Sequence, residues 1–397
     1  MDSSMTFIPF NKPYLTGKET EYIHDAVRAG KISGDGMFTK KCHDFFENKY
    51  GFKKVLLTTS CTDALEMAAL LLQIRPGDEI IAPSFTFVST VNPFVLRGAN
   101  IVFADSSVEN PNLDADQVES LITPKTKAIV AVHYAGIACD MDKILLLAKK
   151  YNLFIVEDAA QAVDSYYKDK PLGSFGSIAT FSFHETKNVM CGEGGMLVLN
   201  DENYFDRAEI IWEKGTNRSA FFRGEVDQYN WIDIGSSFLP SEITAAFLFA
   251  QLENIDRLQV QRKQQWNMYH ILLTPLEKKG KIRLPFIPPF ATNNAHIYYL
   301  VCTDLLERTR LIAHMRKNDI YVASHYLPLH KSPYQSGQQN LSFLDGLKTA
   351  YAKEPPNSFP NADRYSDCLL RLPMFYELSE NDIIRVAESI LSFYDNQ

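Results

Sequence analysis

No stretch of 18 consecutive apolar residues occurs in this sequence, which argues against a membrane-spanning helix. Residues Met1 to Asn11 lack a basic segment followed by an apolar one, so no secretion signal is expected. Cysteine is sparse, with six residues in 397 and no C-x-x-C pair. In a chain of this length they read as reduced thiols, which leaves no disulfide framework and no metal site to expect. Basic residues are outnumbered 40 to 48, for a net charge of −8. Binding to nucleic acid or a membrane surface rests on basic surfaces, so neither is expected, although a few local cations would serve a small anionic substrate. There is no internal repeat and no low-complexity tract. The glycine run Gly192-Glu193-Gly194-Gly195 lacks the G-x-G-x-x-G order of a dinucleotide loop. What remains is a cytoplasmic globular enzyme.

Nearly half of the residues, 46%, are apolar and they are spread along the chain, enough for a large core and two domains. From residue 55 to 199, short β-branched runs alternate with helical patterns. Strands are expected at 55–57, 79–81, 101–104, 128–132 and 154–156. Helices are expected at 62–72, 86–96, 115–122 and 143–151. This rhythm predicts an α/β fold with a large, mostly parallel sheet covered by helices. Its ligands would sit in the loops at the carboxyl ends of the strands. Residues 241–279 read as one long helical stretch. Beyond it, strands at 296–302 and 320–323 and helices at 304–317 and 380–394 predict a smaller α+β unit. We place the large domain, with an N-terminal helical segment, at 1–250 and the small one at 251–397. Segment 334–358, rich in Gln, Ser, Asn and Pro, reads as a surface insertion.

Two motifs follow strands. Glu157-Asp158-Ala159-Ala160-Gln161 comes directly after 154–156, and an acid at a buried strand end normally needs a cationic partner. Phe181-Ser182-Phe183-His184-Glu185-Thr186-Lys187 comes further on. Alone, the first could be an acidic helix cap and the second a solvated lysine. Together they fit the four demands of pyridoxal-phosphate (PLP) chemistry. An amine must carry the cofactor, which Lys187 offers. A carboxylate must keep the pyridine nitrogen protonated, which Asp158 offers. Hydroxyls and a helix N-terminus must hold the phosphate, for which Ser182 and the start at Ser60-Cys61-Thr62 are placed. An aromatic face must cover the ring, and Phe87 follows Pro83-Ser84-Phe85-Thr86.

At this point the sequence resembles the DegT/DnrJ/EryC1/StrS sugar aminotransferases, a branch of the fold-type I, aspartate aminotransferase-like PLP enzymes. Besides these motifs, the likeness runs through Val132-His133-Tyr134-Ala135-Gly136, Pro328-Leu329-His330, Pro360-Asn361-Ala362-Asp363-Arg364 and Leu372-Pro373-Met374-Phe375. It spans about residues 8–394 in the family's order. The resemblance implies PLP contacts from Asp158, Gln161, Ser182 and Lys187, with Cys61 and Thr62 on the phosphate. It also implies a homodimer with sites at the subunit boundary. Many members have Gly-Tyr-Asn where this chain has Gly235-Ser236-Ser237, and that asparagine reaches the neighbour's phosphate, so Ser237 is the corresponding contact here. Ser33-Gly34-Asp35-Gly36, the stretch 183–187, Lys214-Gly215-Thr216-Asn217-Arg218 and Asp233-Ile234-Gly235 resemble the branch that forms a 4-amino-galactose. That branch implies a dTDP-linked 4-keto-6-deoxyglucose acceptor and an L-glutamate donor.

Candidate substrate residues are Ser33, His184, Lys214, Arg218, Arg223 and His330. Each has a plainer reading: glycine turns are common, basic side chains on turns are commonly solvated, and histidines pack. His133 at a strand end reads as a hydrogen-bonded structural histidine. A 3-keto-sugar aminotransferase differs only in the sugar pocket and stays open. A sugar dehydratase of the family would carry histidine in place of Lys187. A non-catalytic PLP-binding protein would be expected to lose Lys187 or Asp158, and both are present.

Overall fold

The computed structural model describes residues 7–335 and 358–395. Two helices, α1 (Glu19–Arg28) and α2 (Met37–Tyr50), lead into β1 (Lys54–Thr58) and α3 (Cys61–Leu71). Then follow β2 (Glu79–Pro83), α4 (Asn92–Leu96), β3 (Asn100–Ala104), α5 (Ala115–Leu121), β4 (Thr126–Val132), α6 (Met141–Tyr151) and β5 (Phe154–Asp158). A small hairpin, β6 (Tyr166–Tyr167) and β7 (Lys170–Pro171), precedes β8 (Ile178–Ser182) and β9 (Gly195–Leu199). The order in the seven-stranded sheet is β1-β9-β8-β5-β4-β2-β3. Only β9 runs against its neighbours, being antiparallel to both β8 and β1, so the sheet is mixed and mostly parallel. Every residue of β8 and β9 is buried, as strands covered on both faces require.

Local chemistry sets the element ends. Ser60 caps α3 by accepting from the Asp63 N–H at 3.0 Å, and Asp140 caps α6 likewise from Lys143. The expected helix at 86–96 is a 3-10 turn, Val88–Thr90, followed by the short α4. Pro93 has no N–H to give and is best accommodated in a first helical turn, so the helix starts beside it.

After β9 come α7 (Phe205–Trp212), α8 (Arg218–Phe222), α9 (Glu242–Leu252) and α10 (Ile255–Lys278). The stretch expected as one helix is therefore two, broken at Glu253 and Asn254. Pro275 lies inside the last turns of α10. The remaining elements are β10 (Tyr299–Val301), α11 (Leu305–Lys317), α12 (Pro360–Cys368), β11 (Leu369–Arg371) and α13 (Glu380–Asp395). The strand expected at 296–302 shrinks to three residues that pair antiparallel with β11, and residues 320–323 form no strand. They contribute single bridges instead, Ile320 to Ile8 and Ala323 to Arg371. Of the expected insertion at 334–358, residues 336–357 lie outside those described. Among the described residues no helix is long and apolar enough to cross a membrane, and all six cysteines are free.

One clamp ties distant parts of the chain. Glu242, buried at the start of α9, accepts from the N–H groups of Gly36, Phe38 and Thr39 at 2.9, 2.7 and 3.0 Å, and from the Thr39 hydroxyl. These are first-turn donors of α2, which have no acceptor of their own within the helix. A Cβ on Gly36 would sit 2.4 Å from the Glu242 carboxyl carbon, so the glycine admits the carboxylate. Gly36, the last residue of Ser33-Gly34-Asp35-Gly36, is thus fixed by the protein itself.

Candidate active site

All the parallel strands end on one side of the sheet, and a cavity of about 620 Å³ opens there, within the usual range for a small-molecule site. Its floor comes from the loops after β1, β2, β4, β5 and β8. Its far wall comes from residues 296–297, 325–326 and 371–374.

Asp158 ends β5. Its Oδ2 accepts from Thr90 Oγ1 at 2.7 Å and its Oδ1 from the Ala160 N–H at 3.2 Å. Burial pushes its carboxyl above the ordinary value, with these two donors, then Lys187 and His133, opposing. Among the described residues no cation pairs with it. Sequence reasoning asked for one at this strand end, so the carboxylate is left for a cationic group that the chain does not supply. The neighbouring Glu157 is satisfied differently. It accepts from the N–H groups of Gly173, Phe175 and Gly176 and meets His133 Nε2 at 3.1 Å. The Cys139 N–H donates to His133 Nδ1, so the proton sits on Nε2 and faces Glu157. His133 is the structural histidine expected.

Lys187 lies in the loop joining β8 to β9. Backbone bonds Phe183 N–H to Gly194 O (2.8 Å) and Glu185 N–H to Gly192 O (2.8 Å) close this loop. Next door, the buried Asn188 donates to Gln259 Oε1 and to the Asn294 carbonyl, both at 2.8 Å, and faces His296 Nδ1 at 2.9 Å. Burial holds His296 neutral. The lysine therefore stands on a fixed base and lines the cavity with Asp158.

The start of α3 faces the cavity as an anion cradle would. The first-turn N–H groups of Cys61 and Thr62 have no intrahelical acceptor, both residues line the cavity, and so does Ser182 at the end of β8. Burial pushes the Cys61 thiol well up, which makes it a neutral contact. A Cβ on Gly195 would fall 2.3 Å from the Cys61 nitrogen, so this glycine lets β9 approach the cradle. Gln161 accepts from the Ala135 N–H at 2.7 Å and donates to the Tyr326 hydroxyl at 3.3 Å. Phe87 lines the open side, its ring 5.9 Å from that of Tyr326. His184 also lines the cavity, with Nδ1 3.0 Å from Thr186 Oγ1. These residues fit PLP: an amine, a buried carboxylate lacking a cation, a helix N-terminus with hydroxyls, and an aromatic face.

Six sequence candidates do not line this cavity: Ser33, Lys214, Arg218, Arg223, Ser237 and His330. Arg218 pairs with Glu213, a carboxylate only 1% exposed, at 2.8 Å. Arg223 pairs with Glu209 and Glu225 at 2.9 and 2.7 Å. Both arginines of the expected basic cluster are therefore already paired within the chain, Arg218 because buried Glu213 requires a cation. Ser237 is exposed and bridges Glu213. His330 ties the end of β2 to α12, through Ser84 Oγ at 2.6 Å and Asp363 at 3.3 Å.

Sequence reasoning missed Thr90, Tyr134, Tyr326 and Arg371, all in the lining. A signal for the last was available. An arginine amid Leu369, Leu370 and Leu372 is a charge inside a buried strand.

Comparison with known proteins agrees with this geometry. The sequence matches the DegT/DnrJ/EryC1/StrS aminotransferase family over residues 13–391. It is 33% identical over 400 residues to GDP-perosamine synthase of Escherichia coli O157:H7, covering 99% of this chain and 100% of that one. It is 31% identical to the spore coat polysaccharide biosynthesis protein SpsC of Bacillus subtilis, covering 97% and 96%. The crystal structure of S. venezuelae DesV, solved with a ketimine intermediate, superimposes with a TM-score of 0.85 at 28% identity, covering 98% of each chain. This chain belongs to the DegT/DnrJ/EryC1/StrS aminotransferases, PLP-dependent fold-type I enzymes that aminate nucleotide-linked sugars.

Proposed function

We propose that this enzyme moves the amino group of L-glutamate to C4 of dTDP-4-keto-6-deoxy-D-glucose. The product is dTDP-4-amino-4,6-dideoxy-D-galactose, for surface polysaccharide synthesis such as that of enterobacterial common antigen. The observation that carries the reaction type is the single cavity shared by Lys187 and the cation-less Asp158. PLP supplies an electron sink and stores the amino group between the two half-reactions. Lys187 Nζ is the attachment amine and, once free, the base that carries the proton at the donor's Cα. Asp158 keeps the pyridine nitrogen protonated. Cys61, Thr62 and Ser182 hold the phosphate, Gln161 contacts the cofactor's hydroxyl, and Phe87 covers the ring. We assign residues 1–250 to the cofactor-binding domain and 251–397 to the smaller one, with the cavity drawing on both.

The sugar assignment rests on the motif wording at 33–36, 183–187 and 214–218, and the GDP-linked sugar in a relative's name makes the nucleotide its most exposed part. Assays should offer dTDP- and GDP-linked 4-keto sugars and a dTDP-linked 3-keto sugar, each with L-glutamate. NMR should then identify a 4-amino galacto product from the dTDP 4-keto compound. Amination of the 3-keto compound alone would transfer the assignment to the 3-amino branch.

The active form is proposed to be a homodimer in which Ser237, with Lys214, Arg218 and Arg223, lies near the neighbour's site. The support is an exposed aromatic cluster on the same excursion: Phe222 is 71% and Tyr229 51% exposed, and their rings stand 5.6 and 6.5 Å from that of Phe221. Isolated exposed apolar residues are ordinary, but neighbouring large ones mark an interface. Light scattering should find a dimer at assay concentration, and an active monomer would contradict this.

A further inference from the structure

The 3-10 turn Val88–Thr90 bears on the cavity at more than one point, and Phe87, Ser89 and Thr90 all line it. Ser89 Oγ accepts from the Thr62 hydroxyl at 2.9 Å, beside the start of α3. Thr90 Oγ1 lies 2.7 Å from Asp158 Oδ2. The same Thr90 oxygen meets Thr86 Oγ1 at 2.8 Å. Thr86 and Thr90 are only 2% and 1% exposed, so each hydroxyl is committed to these partners. Three residues thus stand in a row: Thr86, Thr90 and Asp158.

Distances alone do not orient the two hydroxyls, but the charge of Asp158 does. An ionised carboxylate only accepts, so Thr90 must point its hydrogen at Oδ2. A hydroxyl has one hydrogen, so the Thr90 oxygen then accepts from Thr86. The order runs from Thr86 to Thr90 to Asp158. Hydrogen bonds in such a chain polarise one another, which strengthens the last of them. The other carboxylate oxygen, Oδ1, faces the Ala160 N–H, a donor that cannot turn round. Each oxygen of Asp158 therefore meets a donor. Burial favours the neutral acid, and this arrangement opposes it.

A carboxylate held ionised beside a ring nitrogen leaves the shared proton on the nitrogen. We infer that Thr90, with Thr86 behind it, is a positioning residue that holds Asp158 ionised and so keeps that proton on the ring of PLP. This rests on the PLP reading of the cavity and of Asp158. Thr90 acts through the carboxylate and touches no reacting atom. A purely structural threonine would satisfy a buried oxygen and leave the ring nitrogen indifferent to its loss.

Nitrogen NMR of holoenzyme carrying PLP labelled at the ring nitrogen reads that proton directly. Thr90→Val keeps the shape and removes the hydroxyl, so the signal should move from the protonated position toward the neutral one. Asp158→Asn supplies the full shift for comparison. Turnover of Thr90→Val at saturating substrate should fall about tenfold, the low end of what a hydrogen bond to a charged group contributes. Thr90→Ser keeps the donor and should return both signal and turnover toward wild type. Ser89→Ala, which loosens the same turn at Thr62, should leave the signal in place. PLP should bind Thr90→Val more weakly than wild type. An analogue with carbon in place of the ring nitrogen should bind both equally. An unchanged nitrogen signal in Thr90→Val overturns the inference even if turnover falls, and so does an equal shift in Ser89→Ala. Should Thr90→Val fail to fold, Thr86→Val decides: a smaller shift in the same direction supports the relay, and none refutes it. If Asp158→Asn leaves the signal unmoved, the reading of Asp158 fails first, and the role of Thr90 falls with it.

Discussion

Replacing Lys187 with alanine should abolish both the covalent hold on PLP and the turnover. In wild-type protein, borohydride treatment should fix the cofactor to the peptide bearing Lys187, and in Lys187→Ala to none. A positioned acid–base group supplies about 10²–10⁴ in rate, and here the same amine also carries the cofactor. The expected fall is therefore at least about 10⁴-fold. Thermal unfolding of the variant provides the control, because the loop is held by Asn188 and by backbone bonds rather than by the lysine amine. Labelling of a different lysine, or turnover within tenfold of wild type, would remove Lys187 from its role.

The second large effect is expected at Asp158. Asparagine keeps the shape: its oxygen can still accept from the Ala160 N–H, and its NH2 can donate to the Thr90 hydroxyl oxygen in place of the bond the carboxylate accepted, so the local structure has little reason to change. What it removes is the charge that holds the ring nitrogen protonated. A well-placed charge of this kind is worth about 3 kcal/mol, so Asp158→Asn should bind PLP yet turn over about two orders of magnitude more slowly. Steady-state kinetics at saturating substrate, alongside a fluorescence titration of PLP, distinguishes the two quantities. Unchanged turnover would show that the carboxylate is merely structural.

The half of the site proposed to hold the cofactor was readable because it is local. Lys187 and Ser182 lie within one strand-to-loop motif, and Asp158 and Gln161 within another, each at the end of an apolar run. The pairing of Tyr134 with Arg371 in the cavity lining was hidden for the opposite reason. Tyr134 and Arg371 are 237 residues apart, and nothing in either neighbourhood names the other. The ion pairs of the basic residues were hidden for the same reason. A sequence displays Arg218 and Arg223 but not that Glu213 is buried and claims one of them. Likewise Glu157 resolves its charge with three backbone N–H groups, a solution with no side-chain signature. In the fold, the parallel sheet followed from its β-α rhythm. The three-residue pair of β10 and β11 is too short for alternation to be recognised, and proline rules moved the helix near 93.

The Glu242 clamp also bears on how the chain is made. The carboxylate that completes the start of α2 arrives 203 to 206 residues after the groups it binds. Strand β1 is in the same position, since its sheet partner β9 is synthesised much later. During translation the N-terminal helices and the first strand therefore leave the ribosome before α9 and β9, against which they pack, have been made. They must wait, with apolar faces such as those of Phe38 and Phe46 exposed, until about 250 residues have emerged. Pairings of such long separation form slowly. The nascent N-terminal segment is consequently where chaperone binding, or aggregation during overexpression, should concentrate.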